Sequence, residues 1–235
     1  MFRSALKAVY AAAMIATIGA TASVAATYKA TNVKTGGNFH TFFFGSAPFG
    51  GGNKHWQFEG GFGTFKTFED GGNSFATLEG RIFQNAPQAD ATNRFDVSVK
   101  LQKVAGPGAA GAKCSGCFGG VAADWSFYEF VSAESLLTGV AGMVSGLELS
   151  LGDRPNQPIG QLGNGANDKN AGLGFSDWFE WTITKDNGVF ANLDVGTKGY
   201  GDINVNLATM PLPAGGLLLL SGLFGIGVMR KMRKS

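Results

Sequence analysis

From Arg94 to Lys103 the chain alternates without a break: Phe95, Val97, Val99 and Leu101 are separated by single polar residues. A period of two puts all four apolar side chains on one face of a pleated strand, whereas a helix would scatter them around its axis. The pattern returns at Gly146–Leu151 with Leu147, Leu149 and Leu151, and at Asp202–Leu207 with Ile203, Val205 and Leu207. Phe179–Lys185, then Asp186-Asn187-Gly188, then Val189–Val195 reads as a hairpin, because Asn-Gly suits the left-handed turn that joins two such strands. Aromatic runs at 39–44, 55–68, 74–83 and 124–131 are set apart by Gly/Asn clusters. Eight to ten short strands are predicted, and only Ser132–Val144 offers a helical pattern. The fold class is all-β, an antiparallel β-sandwich or jelly roll. An outer-membrane barrel alternates in the same way but needs an apolar band facing lipid.

Composition narrows the classes further. Of 235 residues 37 are glycine and 20 phenylalanine, while 15% are charged. A soluble domain usually carries about 25% charge and about 7% glycine. So many aromatics with so little net charge exclude a disordered chain. Glycine without a three-residue period excludes collagen, and no 20–50-residue repeat marks a solenoid or propeller.

The two ends follow other rules. Arg3 and Lys7 precede an uncharged stretch from Ala8 to Ala20 and a small-residue site at Ser23-Val24-Ala25-Ala26. This is the layout of a secretory signal peptide over residues 1–26, cleaved after Ala25 or Ala26. Leu212 to Met229 carries no charge, and 18 residues make a helix of about 27 Å, enough to cross a bilayer. Arg230, Lys231, Arg233 and Lys234 would hold that end in the cytoplasm, leaving the upstream chain outside the inner membrane. Without these six basic residues, the domain at 27–209 keeps 13 bases against 17 acids, a net charge of −4. A nucleic-acid partner, which needs a clustered basic face, is not expected.

Met210-Pro211-Leu212-Pro213-Ala214, a glycine-broken apolar helix and a basic cluster together resemble the C-terminal sorting signal of PEP-CTERM proteins, nearest to its VPLPA variant. Met210 stands where that variant has valine. Two prolines fix φ and remove amide donors, so the motif is an extended segment just before the helix. The resemblance implies a membrane-anchored precursor, processed by an exosortase-type transpeptidase and then placed at the cell surface or outside the cell. It also implies a structural or adhesive role in the surface or its exopolysaccharide matrix.

Between the ends, sites are few. Cys114-Ser115-Gly116-Cys117 is a C-x-x-C in a glycine-rich loop. Export favours a disulfide there, with a metal site and redox chemistry as the alternatives. Gly163–Asn170 is rich in oxygen ligands, yet it matches no EF-hand and contains Lys169. No metal or cofactor is expected. Trp56, Trp125, Trp178 and Trp181, with Tyr128 and Tyr200, are candidates for a sugar-stacking platform, against the alternative that they form core. Trp178 and Trp181, the foremost candidates for glycan contact, differ by an odd number, so a regular strand turns them to opposite faces. The acid pairs Glu69/Asp70 and Asp177/Glu180 single out no catalytic couple. With no G-x-S-x-G elbow either, a non-enzymatic protein is expected, with polysaccharide binding as the alternative reading.

Overall fold

The computed structural model describes residues 25–35, 38–45, 54–86, 90–106, 125–140, 147–167, 172–185 and 194–210. Thirteen strands appear in chain order: β1 (Thr27–Thr35), β2 (Asn38–His40), β3 (Phe42–Gly45), β4 (Lys54–Phe58), β5 (Phe62–Asp70), β6 (Asn73–Ala86) and β7 (Asp90–Val104). They continue with β8 (Ser126–Phe130), β9 (Leu136–Gly139), β10 (Glu148–Asp153), β11 (Gly160–Asn164), β12 (Leu173–Lys185) and β13 (Lys198–Thr209). One turn of 3₁₀ helix, Glu59–Gly61, joins β4 to β5. The fold is all-β, as the alternation predicts, and every recorded pairing is antiparallel.

Four long strands organise the rest. β6 pairs with β7, and β12 with β13. Each of the four then splits its other edge between two short partners. β13 takes β3 along Tyr200–Ile203 and β1 along Val205–Thr209. β6 takes β5 up to Glu79 and β4 from Ile82 onward. β7 takes β9 up to Ser98 and β8 from Leu101; β12 takes β11 up to Ser176 and β10 from Phe179. Following the ladders, β12–β13–β1–β5–β6–β7–β8–β11 returns to β12. So does β12–β13–β3–β4–β6–β7–β9–β10. Both circuits close, so none of the four long strands is left with a bare edge along its paired length, the feature that exposes open sheets to aggregation.

The interior is one apolar cluster. Phe42, Phe44, Trp56, Phe65, Phe95, Phe175, Phe179 and Trp181 have no exposed surface. Phe179 meets Phe42, Phe44 and Phe130 in T-shaped contacts at ring separations of 6.1, 5.5 and 6.3 Å, an arrangement aromatic quadrupoles favour. Glycine makes room for these rings. A Cβ at Gly199 would overlap the Trp181 indole across the ladder, and one at Gly201 would meet the Phe179 ring. The outward face is charged, with Arg81–Asp96 at 2.8 Å, Arg94–Glu59 at 3.0 Å and Lys100–Glu134 at 2.7 Å. These charges suit water and not the lipid-facing band of an outer-membrane barrel.

Two local expectations need correction. Within Ser132–Val144, residues 136–139 form β9, because Leu137 must enter the core beside Val97 and Leu149. The partner of β12 is Lys198–Thr209, with Thr182 opposite Lys198, so the paired arm starts beyond Val189–Val195. The segment up to Val24 expected to be a signal peptide, the apolar tail with Pro211, Leu212, Pro213 and Ala214, and Cys114–Cys117 lie outside the described residues. Among the described residues no helix is long and apolar enough to cross a membrane.

Candidate functional site

β12 shows how the strand period sorts side chains. Phe175, Asp177, Phe179, Trp181 and Ile183 point inward, while Trp178 and Glu180 lie on the other, partly exposed face; Ser176 on that face is itself buried and donates to Asn204 Oδ1 at 2.8 Å. Trp181 is therefore core, wholly buried, and unavailable to a glycan, as is Trp56 on β4. Trp125 lies half-buried over Gly163, where a Cβ would strike its indole. The platform of several exposed tryptophans is not formed by the described residues. Trp178 alone faces out from the long β12–β13 ladder.

Around Trp178 the outward face of β12, β13, β3 and β4 is aromatic. Tyr200, 42% exposed, lies two residue pairs along, at the next position on the same face. Arg154 sits against both rings, its guanidinium 5.5 Å from the Trp178 centroid and 4.4 Å from that of Tyr200, close enough for cation–π attraction. The backbone turns sharply after Arg154 because Asn156 adopts φ 59°, a left-handed conformation that asparagine tolerates. Next along the face, Phe43 packs on His55 at 5.4 Å, and Glu180 accepts a hydrogen bond from Lys198 at 2.8 Å. Tyr200 was visible in the sequence as a candidate. Arg154 was not, since nothing local places it across from Trp178.

Polar side chains fill the places where a long strand changes partner. At the β13 split, Asn32 Oδ1 accepts from Thr41 Oγ1 and from the Phe58 amide at 2.9 Å. At the β7 split, buried Ser135 donates to the Lys100 carbonyl at 2.7 Å and accepts from the Lys100 amide at 3.1 Å. At the β12 split stands Asp177, 2% exposed, with neither carboxylate oxygen hydrogen-bonded. Burial pushes its pKa well above the usual carboxylate range, and Asp153 adds repulsion, while the Trp178 amide pulls the other way. Burial thus favours the protonated, uncharged form of a carboxyl so placed. Its supposed companion Glu180 faces outward with Lys198, so the two do not meet across a cleft. Glu69 accepts from Ser74 Oγ at 2.6 Å on the β5–β6 hairpin. Asn167, from the oxygen-rich loop, is fully buried and donates through Nδ2 to Asn206. That contact gives this end of the loop a structural use; 168–170 lie outside the described residues. Among the described residues no three His, Cys, Asp or Glu side chains gather to hold a metal.

The domain's ends meet. Met210 donates its amide to the Thr27 carbonyl at 3.3 Å, and Thr67 donates to Ala26 O at 2.9 Å while its Oγ1 accepts from the Ala26 amide at 3.3 Å. Ala25 is exposed and Ala26 half-buried beside them. A sequence model of the SP85-like N-terminal domain matches residues 20–210. The chain belongs to the SP85-like N-terminal domain family. The match to this SP85-like domain ends at Met210, the residue whose amide closes the β1–β13 ladder. No curated protein and no solved structure matches the chain.

Proposed function

We propose that this chain is an exported, non-enzymatic component of the cell surface or of an extracellular exopolysaccharide matrix. In this reading residues 1–26 are a cleaved leader, and 210–235 hold the precursor in the membrane until an exosortase-type transpeptidase acts at Met210–Ala214. The β-domain between them is a sandwich whose edges are closed by the shared long strands. The observation that carries the reading is the Met210–Thr27 hydrogen bond at 3.3 Å. It joins the two boundaries at which the sequence calls for processing, so both segments leave from one point and their removal costs the fold no interior strand. Intact-mass measurement of the protein recovered from the cell exterior tests it. Termini near Thr27 and Pro211 are expected; a full-length chain free in the cytosol would overturn it.

A second reading, glycan binding on the outward aromatic face, is favoured by Trp178 and Tyr200 lying on one face around Arg154. Trp178→Ala is then expected to weaken binding to a polysaccharide by about tenfold or more, since central aromatic anchors often carry ≥ 2 kcal/mol. Titration calorimetry against a panel of polysaccharides checks this, and unchanged binding removes the reading.

A further inference from the structure

A cavity of about 210 Å³ opens at one end of the circuit that runs through β1, β5, β6, β7, β8 and β11. It is smaller than the ~300–1,000 Å³ typical of sites for drug-sized ligands, so it suits one small unit or the end of a chain. The inward alternation that builds the core produces it. Tyr28 and Tyr128 continue the inward faces of β1 and β8 to the mouth, where Ser126 and Leu162 join them. A run of rings fixes the two tyrosines. Tyr28 lies 6.4 Å from Phe65, Phe65 lies 5.3 Å from Phe175, and Phe175 lies 6.4 Å from Tyr128. The hydroxyls are thus held on a rigid aromatic floor, the preorganisation a weak-ligand site needs.

The chemistry of the rim is balanced. Ser74 donates to Glu69 Oε1 at 2.6 Å, which leaves the other carboxylate oxygen as an acceptor. Lys103, exposed on β7 at the rim, supplies a cation. One acid and one base cancel, so the mouth has no field that selects an ion. Burial, with Tyr28 and Glu69 close by, holds the Tyr128 phenol protonated to about pH 12, which keeps it a donor throughout the physiological range.

We propose that this mouth binds a single neutral sugar ring, such as the end of a glycan chain, with the Tyr28, Tyr128 and Ser126 hydroxyls and the Glu69 carboxylate taking the sugar hydroxyls. The site is separate from the Trp178 face and does not depend on the export reading. The test is titration of the full-length chain, by calorimetry and saturation-transfer NMR, with glucose, galactose, mannose, N-acetylglucosamine and their disaccharides, and with glycine as a zwitterion. Saturable binding of at least one sugar is expected, tighter than about 10 mM. Tyr128→Phe and Ser126→Ala should each weaken it about 3- to 10-fold, as loss of one hydrogen bond does, with thermal unfolding little changed. Trp178→Ala should leave it intact. The proposal is overturned if no sugar binds, if glycine binds in preference, or if binding is lost on Trp178→Ala yet indifferent to Tyr128→Phe.

Discussion

Asp177 occupies a position that the alternation of β12 reserves for apolar side chains, between Phe175 and Phe179. Its raised pKa favours the protonated form in the fold, while the unfolded chain ionises the same group above about pH 4. Above that pH the unfolded state binds fewer protons, so folding carries a penalty that grows with pH until the folded pKa is reached, and vanishes below about pH 4. Asp177→Asn removes the titration while keeping the shape. The variant is expected to melt at higher temperature than the parent at neutral pH, and the difference should shrink toward zero as pH falls to about 4. Melting curves followed by circular dichroism across that range check this; a difference independent of pH would remove the account. A second residue-scale case is steric. Gly199 faces Trp181 in the β12–β13 ladder, and a methyl there would overlap the indole. Trp181 is held on its other edge by Leu151 of β10, and the residue after Gly199, Tyr200, is paired with β3, so little can give way. Gly199→Ala is expected to destabilise by roughly 1–3 kcal/mol, the range for overpacking a core. Urea unfolding measures it, and a change within about 0.5 kcal/mol, typical of an indifferent surface site, would contradict it.

At the scale of the element, each long strand must change partner once, and the change leaves backbone groups that the ladder no longer satisfies. Ser135 answers this at the β7 split by bonding both the amide and the carbonyl of Lys100. Ser135→Ala takes from the Lys100 amide the hydroxyl it donates to and leaves the Lys100 carbonyl with the Val131 amide at 2.9 Å, so a loss of about 1–3 kcal/mol is expected in chemical denaturation. A loss below about 0.5 kcal/mol would mean that the split needs no plug. These splits also mark where the sequence stops being readable. Arg94–Lys103 was legible because Phe95, Val97, Val99 and Leu101 all enter one core, and β12 and β13 were legible for the same reason. The segment 132–144 was not, since β9 is only four residues long and owes its extended form to β7 and β10 on either side. Nor was the return to Lys198, because a turn dipeptide fixes only the nearest pairing. Trp178 and Trp181 were correctly separated onto opposite faces by their odd spacing. Which face was the core depended on β13 and β3, far away in the chain. The mouth is not legible in the sequence because its lining comes from six strands, and the local groups Thr67–Glu69, Ser74–Phe75 and Ser126–Tyr128 meet only through the fold.

For the whole molecule, the two closed circuits share β6, β7, β12 and β13, so those strands cannot separate until both circuits open. The short strands belong to one circuit each, and β2 pairs only with β1 among the described residues. Stability should therefore be layered, since local opening follows the number of contacts an element must give up. Amide hydrogen exchange is expected to be slowest along Ile203–Leu207, Phe179–Ile183 and Leu78–Ile82. It should be faster by orders of magnitude in Asn38–His40. The ends of β1 and β13 decide between two modes of opening. If the Met210–Thr27 closure is the last tooth of a zipper, exchange in Tyr28–Asn32 should be intermediate, and removal of residues 211–235 should leave it unchanged, because the described pairs up to Met210 hold this edge by themselves. If instead the tail braces the ladder, the same truncation will speed exchange in Tyr28–Asn32 and in Val205–Thr209 together. The geometry favours the first outcome, because β1 is held on its other edge by β5 from Thr27 to Thr31. Exchange measured on the full chain and on a chain ending at Met210 separates the two, and acceleration on truncation would show that the domain is not complete at that residue.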